Sequence, residues 1–333
     1  MKPRRTLINV IANEKIGLGH VYNILTILPY FSKDEILIVM NKENSLGKNK
    51  FQNKGLKIKS FKNENELFDI IKKFDPHIIM NDTLDTKIRF SKKLQKTNCF
   101  IVNFEDMGPG SNYVNLVFNP IYNQKSTTTK FFGEKYACVR EEFRNKITKL
   151  NKKSIVITFG GADPKKISLR LLKIFQIYKP EYKIYVIIGN GFSHKNQILK
   201  IIKKLKQNNL EIEAVVKTDR ISKYIDKSMF AITANGRTVF EVAARNVPII
   251  SISANQREET HEFSKNKKIG YHLGLHSKVS NEKILESIKK MEIFKNRNKF
   301  EKRLQKIKIQ NSVDNVKNLI EKHYKKWSQS MSN

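Results

Sequence analysis

Cysteine is nearly missing from this chain. Two are present among 333 residues, Cys99 and Cys138. They lie too far apart in sequence for a Cys-x-x-Cys metal or redox pair, and two are too few for a disulfide framework. Cys99 sits in the apolar run "NCFIVNF" and is expected as a buried thiol in a reducing compartment. Long apolar runs are missing too. None approaches the roughly 18 residues that mark a membrane span. The apolar run behind the basic N-terminus breaks at Asn13 and Glu14, too early for a secretory signal. Together these absences predict a cytoplasmic protein. There are no short internal repeats and no low-complexity tracts.

Acid is scarce beside base, with 31 Asp and Glu against 64 Lys and Arg, a net charge of +33. Such an excess fits nucleic acid, an anionic membrane surface or a phosphate-bearing substrate. The bases are mostly lysines spread along the chain, as in "KIIKKLKQNN" and "KNRNKFEKRLQKIK", where an amphipathic helix exposes its wet face. The excess therefore reads as a solvated basic surface with weak peripheral attraction to anionic lipid. Aromatics such as Phe131 and Phe132 beside Lys130 are too scattered to make stacking platforms, so no specific nucleic-acid partner is expected.

What the chain has in quantity is short runs of Ile and Val. "TLINVIA", "EILIVM", "HIIMN", "CFIVNF" and "NLVFNP" read as strands in the first half. "SIVITFG", "KIYVIIG", "LEIEAVV", "MFAITAN" and "VPIISIS" read as strands in the second, with helix-like stretches between them. Continuous apolar strands alternating with helices mean parallel sheets covered on both faces. The expected fold class is α/β, with two Rossmann-like doubly wound domains facing each other across a cleft. The charged stretch at 140–154 is the expected seam, giving domains 1–150 and 151–333, the second with a helical tail. Ligands in such sheets bind beyond the carboxyl ends of strands.

Four segments follow strands and carry candidate chemistry. In "GLGH", Gly17 and Gly19 permit a tight turn that exposes backbone N–H groups. Tyr22 stands where the dinucleotide fingerprint needs its third glycine, which argues against that cofactor. His20 falls in the first turn of a helix, where the macrodipole disfavours imidazolium. A neutral ring there can act as a general base, or it can cap the helix or bind a phosphate oxygen. In "ITFGGADPKK", Gly160 and Gly161 allow close backbone approach to a phosphate or sugar, and a bare strand-to-helix turn is the alternative. No Gly-Lys-Ser/Thr follows, so this is not a P-loop.

"ITANGRTVFEVAARN" places Asn235, Gly236, Arg237 and Thr238 at a helix start that could hold an anion. Glu241, one turn on, could accept the hydroxyls of a ribose or pair with Arg237. In "SANQREETHEF", the amides of Asn255 and Gln256 could bind sugar substituents, or Asn255 could cap a helix. In the first half Asp82, Asp85, Glu105 and Asp106 also follow strands, as cleft acids or as turn and cap residues. No metal-ligand pattern emerges, and no cofactor is expected.

In this order, the motifs "GLGH", "GEKYACVREEF", "ITFGGADP", "ITANGRTVFEVAARNVPIISI" and "ANQ" resemble the UDP-sugar hydrolases of pseudaminic acid biosynthesis. The wider group includes the spore-coat polysaccharide biosynthesis proteins, and the likeness runs from about residue 8 to 275. The group is related to the GT-B glycosyltransferase fold. The resemblance implies metal-independent release of UDP from a UDP-linked acetamido-deoxyhexose, by water attack at the anomeric carbon.

It implies that His20 assists the water, and that Gly160, Gly161, the 235–238 helix start and Glu241 hold the nucleotide. Asn255 would lie near the sugar, with Gln256, Asp82 and the Gly17–Gly19 turn as further substrate contacts. Attack opposite the leaving group predicts inversion. Two positions depart from the family pattern. Arg237 stands in a Gly-Ser-Thr element, and "NDTLDT" lacks the family's tyrosine. A glycosyltransferase with a glycan or lipid-linked acceptor is the runner-up. An apolar patch rimmed with lysine on the first domain would favour it. A non-catalytic nucleotide-sugar-binding protein is the third reading.

Overall fold

In the computed structural model, residues 3–331 are described apart from 15, 123, 146–151, 217 and 219. Every strand pairing is parallel. The first sheet has seven strands: β1 (Arg5–Val10), β2 (Glu35–Asn41), β3 (Lys57–Phe61), β4 (Ile78–Asp82), β5 (Phe100–Phe104), β6 (Leu116–Asn119) and β7 (Lys130–Phe132). They run in the order β3-β2-β1-β4-β5-β6-β7. The second sheet has six: β8 (Ser154–Thr158), β9 (Lys183–Ile188), β10 (Ile212–Val216), β11 (Ser228–Ala234), β12 (Ile249–Ser253) and β13 (Gly270–Leu275). Their order is β10-β9-β8-β11-β12-β13. Each sheet is doubly wound and reverses direction between its first and fourth strands, the point where ligands bind in open α/β sheets.

The chain divides into two units, one of residues 1–138 with 311–333 and one of residues 139–310. In the first, Ile8, Val10, Met80 and Val102 project from the sheet onto helices Gly19–Ile27 and Ser312–Met331. Side chains alternate along a strand, so Leu7, Val39, Ile79 and Ile101 face the other way, onto helices Glu64–Phe74 and Ile88–Gln95. In the second, Ile155, Ile157, Ile232 and Ile250 pack under helices Ile167–Tyr178, Lys195–Gln207 and Asn281–Glu292.

The division differs from the expected boundary at 150, for identifiable reasons. Residues 140–145 are tied to the second unit, where Arg245 reaches the carbonyl of Asn145 at 2.6 Å and Ser222 N–H donates to Glu142 at 3.0 Å. Residues 146–151 of the expected seam lie outside the described residues. At the far end, the last helix returns to the first unit. Val313, Val316 and Ile320 are fully buried there. Arg4 grips Glu321 with both terminal nitrogens, at 2.8 and 3.0 Å. Fully burying an aliphatic side chain contributes roughly 1.5–3 kcal/mol. Truncation after residue 310 is therefore expected to lower the melting temperature of the first unit by tens of degrees or leave it unfolded, which calorimetry would show. An unchanged melt would mean that this packing contributes little.

Candidate active site

At the switch point of the first sheet, β1 runs into the glycine turn. Asn13 closes it, with its carbonyl accepting from Gly17 N–H at 2.7 Å and its side-chain oxygen from Ile16 N–H at 2.8 Å. Gly17 takes φ +80°, a left-handed conformation that an L side chain rarely adopts. The turn delivers Gly19 as the first residue of helix Gly19–Ile27 and His20 as the second.

β4 lies beside β1 and ends at Asp82, whose carboxylate is completely buried. One oxygen meets His20 Nδ1 at 2.6 Å, and the other accepts from Asn23 Nδ2 at 2.7 Å. Asn23 lies nearly one turn beyond His20 on the same helix, so helix and strand grip the carboxylate together. A carboxylate accepts only, so Nδ1 carries the proton of this bond. Glu105, in a left-handed conformation just after β5, brings a second carboxylate to 4.0 Å from Nδ1.

The other acids of this edge are structural. Asp106 accepts from Thr86 N–H (2.9 Å), Thr86 Oγ1 (2.6 Å), Gly108 N–H (2.9 Å) and Asn103 Nδ2 (2.6 Å). Asn9, Asn81 and Asn103, on the opposite sheet face from Asp82, form a buried amide row leading to it. Asp85 holds Met107 N–H at 2.9 Å. Both have the turn role allowed for them.

At the switch point of the second sheet, β8 ends in Gly160 (φ +67°) and Gly161. The Gly161 carbonyl accepts from Gly191 N–H at 2.9 Å, and a Cβ on Gly189 would come within 2.4 Å of that oxygen. The turn after β8 therefore packs glycine on glycine with the turn after β9. Asp163 is spent on the next helix, accepting from Ile167 and Ser168 N–H at 2.9 Å each, with His194 Nε2 at 3.2 Å. Burial pushes its carboxyl pKa up, against the pull of those donors.

Beyond β11, the Asn235 side chain donates to the carbonyls of Glu258 and His261, both at 2.8 Å, and accepts from Ser264 Oγ. Gly236 follows, with a Glu258 carboxylate oxygen 3.3 Å from where its Cβ would be. Arg237 stands at the cap of helix Thr238–Ala244. Glu241, on that helix, accepts from Arg140 Nε at 2.8 Å, and Arg140 also meets Glu142 at 2.9 Å. Beyond β12, Asn255 caps helix Gln256–Glu259 through Glu258 N–H at 2.9 Å, while Glu258 reaches back to Ala254 N–H at 2.7 Å. The spacing is that of a capping box, with the returning bond made to the residue before the cap. Burial raises the Glu258 carboxyl pKa above its ordinary value.

No protein-family model matches the chain. An uncharacterized protein of Methanocaldococcus jannaschii is 25% identical, covering 73% of this chain and 54% of that protein, so the chain spans about half the length of the curated relative it matches. Among solved structures, MurG of Acinetobacter baumannii superposes with a TM-score of 0.70 at 13% identity, over 96% of this chain and 100% of that one. S. aureus MnaA, solved with UDP, gives 0.63 at 11% identity over 94% of each chain. UDP-GlcNAc 2-epimerase of Neisseria meningitidis, bound to UDP-GlcNAc, gives 0.59 at 12% identity over 95% of this chain and 100% of that one. The fold is GT-B.

Within this GT-B chain the structure brings Gly17, Gly19, His20 and Asp82 together at one switch point. It places Gly160, Gly161, Asn235, Gly236, Arg237, Thr238, Glu241, Asn255 and Gln256 along the carboxyl ends of the neighbouring strands β8, β11 and β12. Three of these side chains have partners inside the fold. Asp82 is completely buried, and its two oxygens are taken by His20 and Asn23. The Asn235 amide is consumed tying β11 to the segment after β12. The Asn255 side-chain oxygen is spent on its cap, leaving its amide nitrogen and the exposed Gln256 facing solvent. Asn23 and Glu258 were not among the expected residues, although Asn255 and Glu258 have the spacing of a capping box. Among the described residues, no group of three or more His, Cys, Asp and Glu is placed to hold a metal ion, and no helix is long and apolar enough to cross a membrane.

Proposed function

We propose that this chain hydrolyses a UDP-linked acetamido-sugar. The hydrogen-bonded series Asn23–Asp82–His20 carries the reading, because it is built as an orienting device for a base. With Nδ1–H fixed on Asp82, His20 Nε2 takes a proton from water while the water oxygen forms a bond to the anomeric carbon. The bond from that carbon to the diphosphate oxygen breaks, UDP leaves with the electron pair, and the sugar is released with inverted configuration. Asp82 balances the charge the ring acquires.

The nucleotide is assigned to the second unit, through the backbone of Gly160, Gly161 and the Gly236–Thr238 turn and through Glu241. Two of the similar folds were solved with UDP or a UDP-sugar, which supports a uridine nucleotide as the ligand class. Glu241→Ala is expected to weaken UDP binding about tenfold, near 1.4 kcal/mol, with kcat little changed at saturation. Titration calorimetry would measure it, and an unchanged Kd would remove Glu241 from the nucleotide site.

The decisive assay for the reaction class supplies a UDP-acetamido-sugar with no acceptor. Steady release of UDP over many turnovers supports hydrolysis. Release only when a glycan or lipid-linked hydroxyl is added would make the chain a transferase. Binding without release would make it a carrier.

A further inference from the structure

Among the described residues of the second unit, three large apolar side chains are exposed: Ile177 at 86%, Ile293 at 54% and Phe294 at 68%. They belong to one place. Ile177 lies beside Tyr178 at the end of helix Ile167–Tyr178, and Ile293 and Phe294 form the junction between helices Asn281–Glu292 and Phe294–Leu304. The two segments are bolted together next to these residues. Tyr178 and Tyr182 each donate to Glu292 at 2.6 Å, and Lys289 lies 5.3 Å from the Tyr178 ring centre. Arg297 donates to the carbonyls of Met291 and Glu292 and lies 5.9 Å from the Phe294 ring, which fixes the junction.

The rim is basic. Lys173, Lys179, Lys289 and Lys295 are exposed on these same segments. Of the nearby acids, Glu292 is held by the two tyrosines and Glu286 by Lys283 and Lys290, and exposed Glu181, beside Tyr178, is outnumbered by the four lysines. Exposed apolar tips ringed by long lysines suit a surface that is apolar inside and anionic at its face. A second copy of the chain fits poorly, because like-charged rims would meet. Nucleic acid would use the charge but not the two isoleucines.

We propose that this face docks the second unit on an anionic lipid bilayer, with Ile177, Ile293 and Phe294 entering the headgroup layer and the lysines meeting lipid phosphates. This surface is independent of the catalytic reading above.

The test is co-sedimentation of the full chain with phosphatidylcholine vesicles, with and without phosphatidylglycerol. Wild type should bind only the anionic vesicles. The double variant Ile293→Ser/Phe294→Ser keeps the net charge and should bind at least about tenfold more weakly, given the burial value of two large apolar side chains. The control Lys203→Gln/Lys204→Gln removes two exposed charges from helix Lys195–Gln207 and should bind nearly as wild type. Three results would overturn the proposal: no binding by wild type, equal binding by the serine variant, or a loss in the control as large as in the serine variant. A serine variant that loses affinity for a single-stranded oligonucleotide while keeping its affinity for vesicles would reassign the face to nucleic acid.

Discussion

Replacing His20 by alanine is expected to lower turnover by about 10²–10⁴-fold, the range a positioned general base contributes, while UDP affinity stays near wild type. The asymmetry follows from the proposed roles, because the imidazole acts on the water and the proposed nucleotide contacts are made by other residues. The substitution also removes one of the two partners of the buried Asp82, leaving Asn23 on its other oxygen, a cost of about 1–3 kcal/mol in stability. A thermal melt therefore accompanies the kinetics. A folded His20→Ala protein with near-normal kcat would end the base assignment.

Asp82→Asn is expected to come close in severity, and the reason lies in its second partner. Asn23 donates its amide N–H to one oxygen of Asp82. An asparagine at 82 keeps that bond only by turning its own carbonyl toward Asn23, which aims its NH₂ group at His20 Nδ1. Nδ1 must then be unprotonated, the proton moves to Nε2, and the nitrogen facing the water can no longer accept. Converting a triad aspartate to asparagine elsewhere costs about 10⁴-fold in kcat. A loss of that order is expected here, with KM little changed. Nitrogen-15 shifts of the His20 ring should report the exchanged tautomer, a signature that mere loosening of the fold would not give. Near-wild-type kcat together with an exchanged tautomer would show that His20 Nε2 is not the base.

Much of this architecture was legible in the residues, and the strands that were not share a cause. The central strands are buried on both faces, so they read as unbroken apolar runs such as "TLINVIA" and "SIVITFG". β3, β7 and β13 are edge strands. β3, "KIKSF", alternates exposed lysine with half-buried residues, β7 has three residues, and β13, "GYHLGL", is half-buried throughout. Those patterns carry too little apolar signal to separate a strand from a loop.

The glycine turn and His20 are local features and could be found by spacing alone. The role of Asp82 could not, because its partner lies 62 residues away and they meet only through the pairing of β1 with β4. Asn235 and Asn255 show the converse. An amide just past a strand looks the same in sequence whether it faces a ligand or a neighbouring backbone. Here partners drawn from up to 29 residues away claimed the first, and a cap three residues on claimed the side-chain oxygen of the second. Glu258, on the short helix after β12, combines both difficulties with burial, and only the capping-box spacing betrays it.

The central claim is that water, activated by His20, attacks carbon and not phosphorus. Turnover of a UDP-acetamido-sugar in water enriched in heavy oxygen tests it most directly, with mass spectrometry of both products. The account predicts the label on the anomeric hydroxyl of the released sugar and unlabelled UDP. Label in the terminal phosphate of UDP would contradict it.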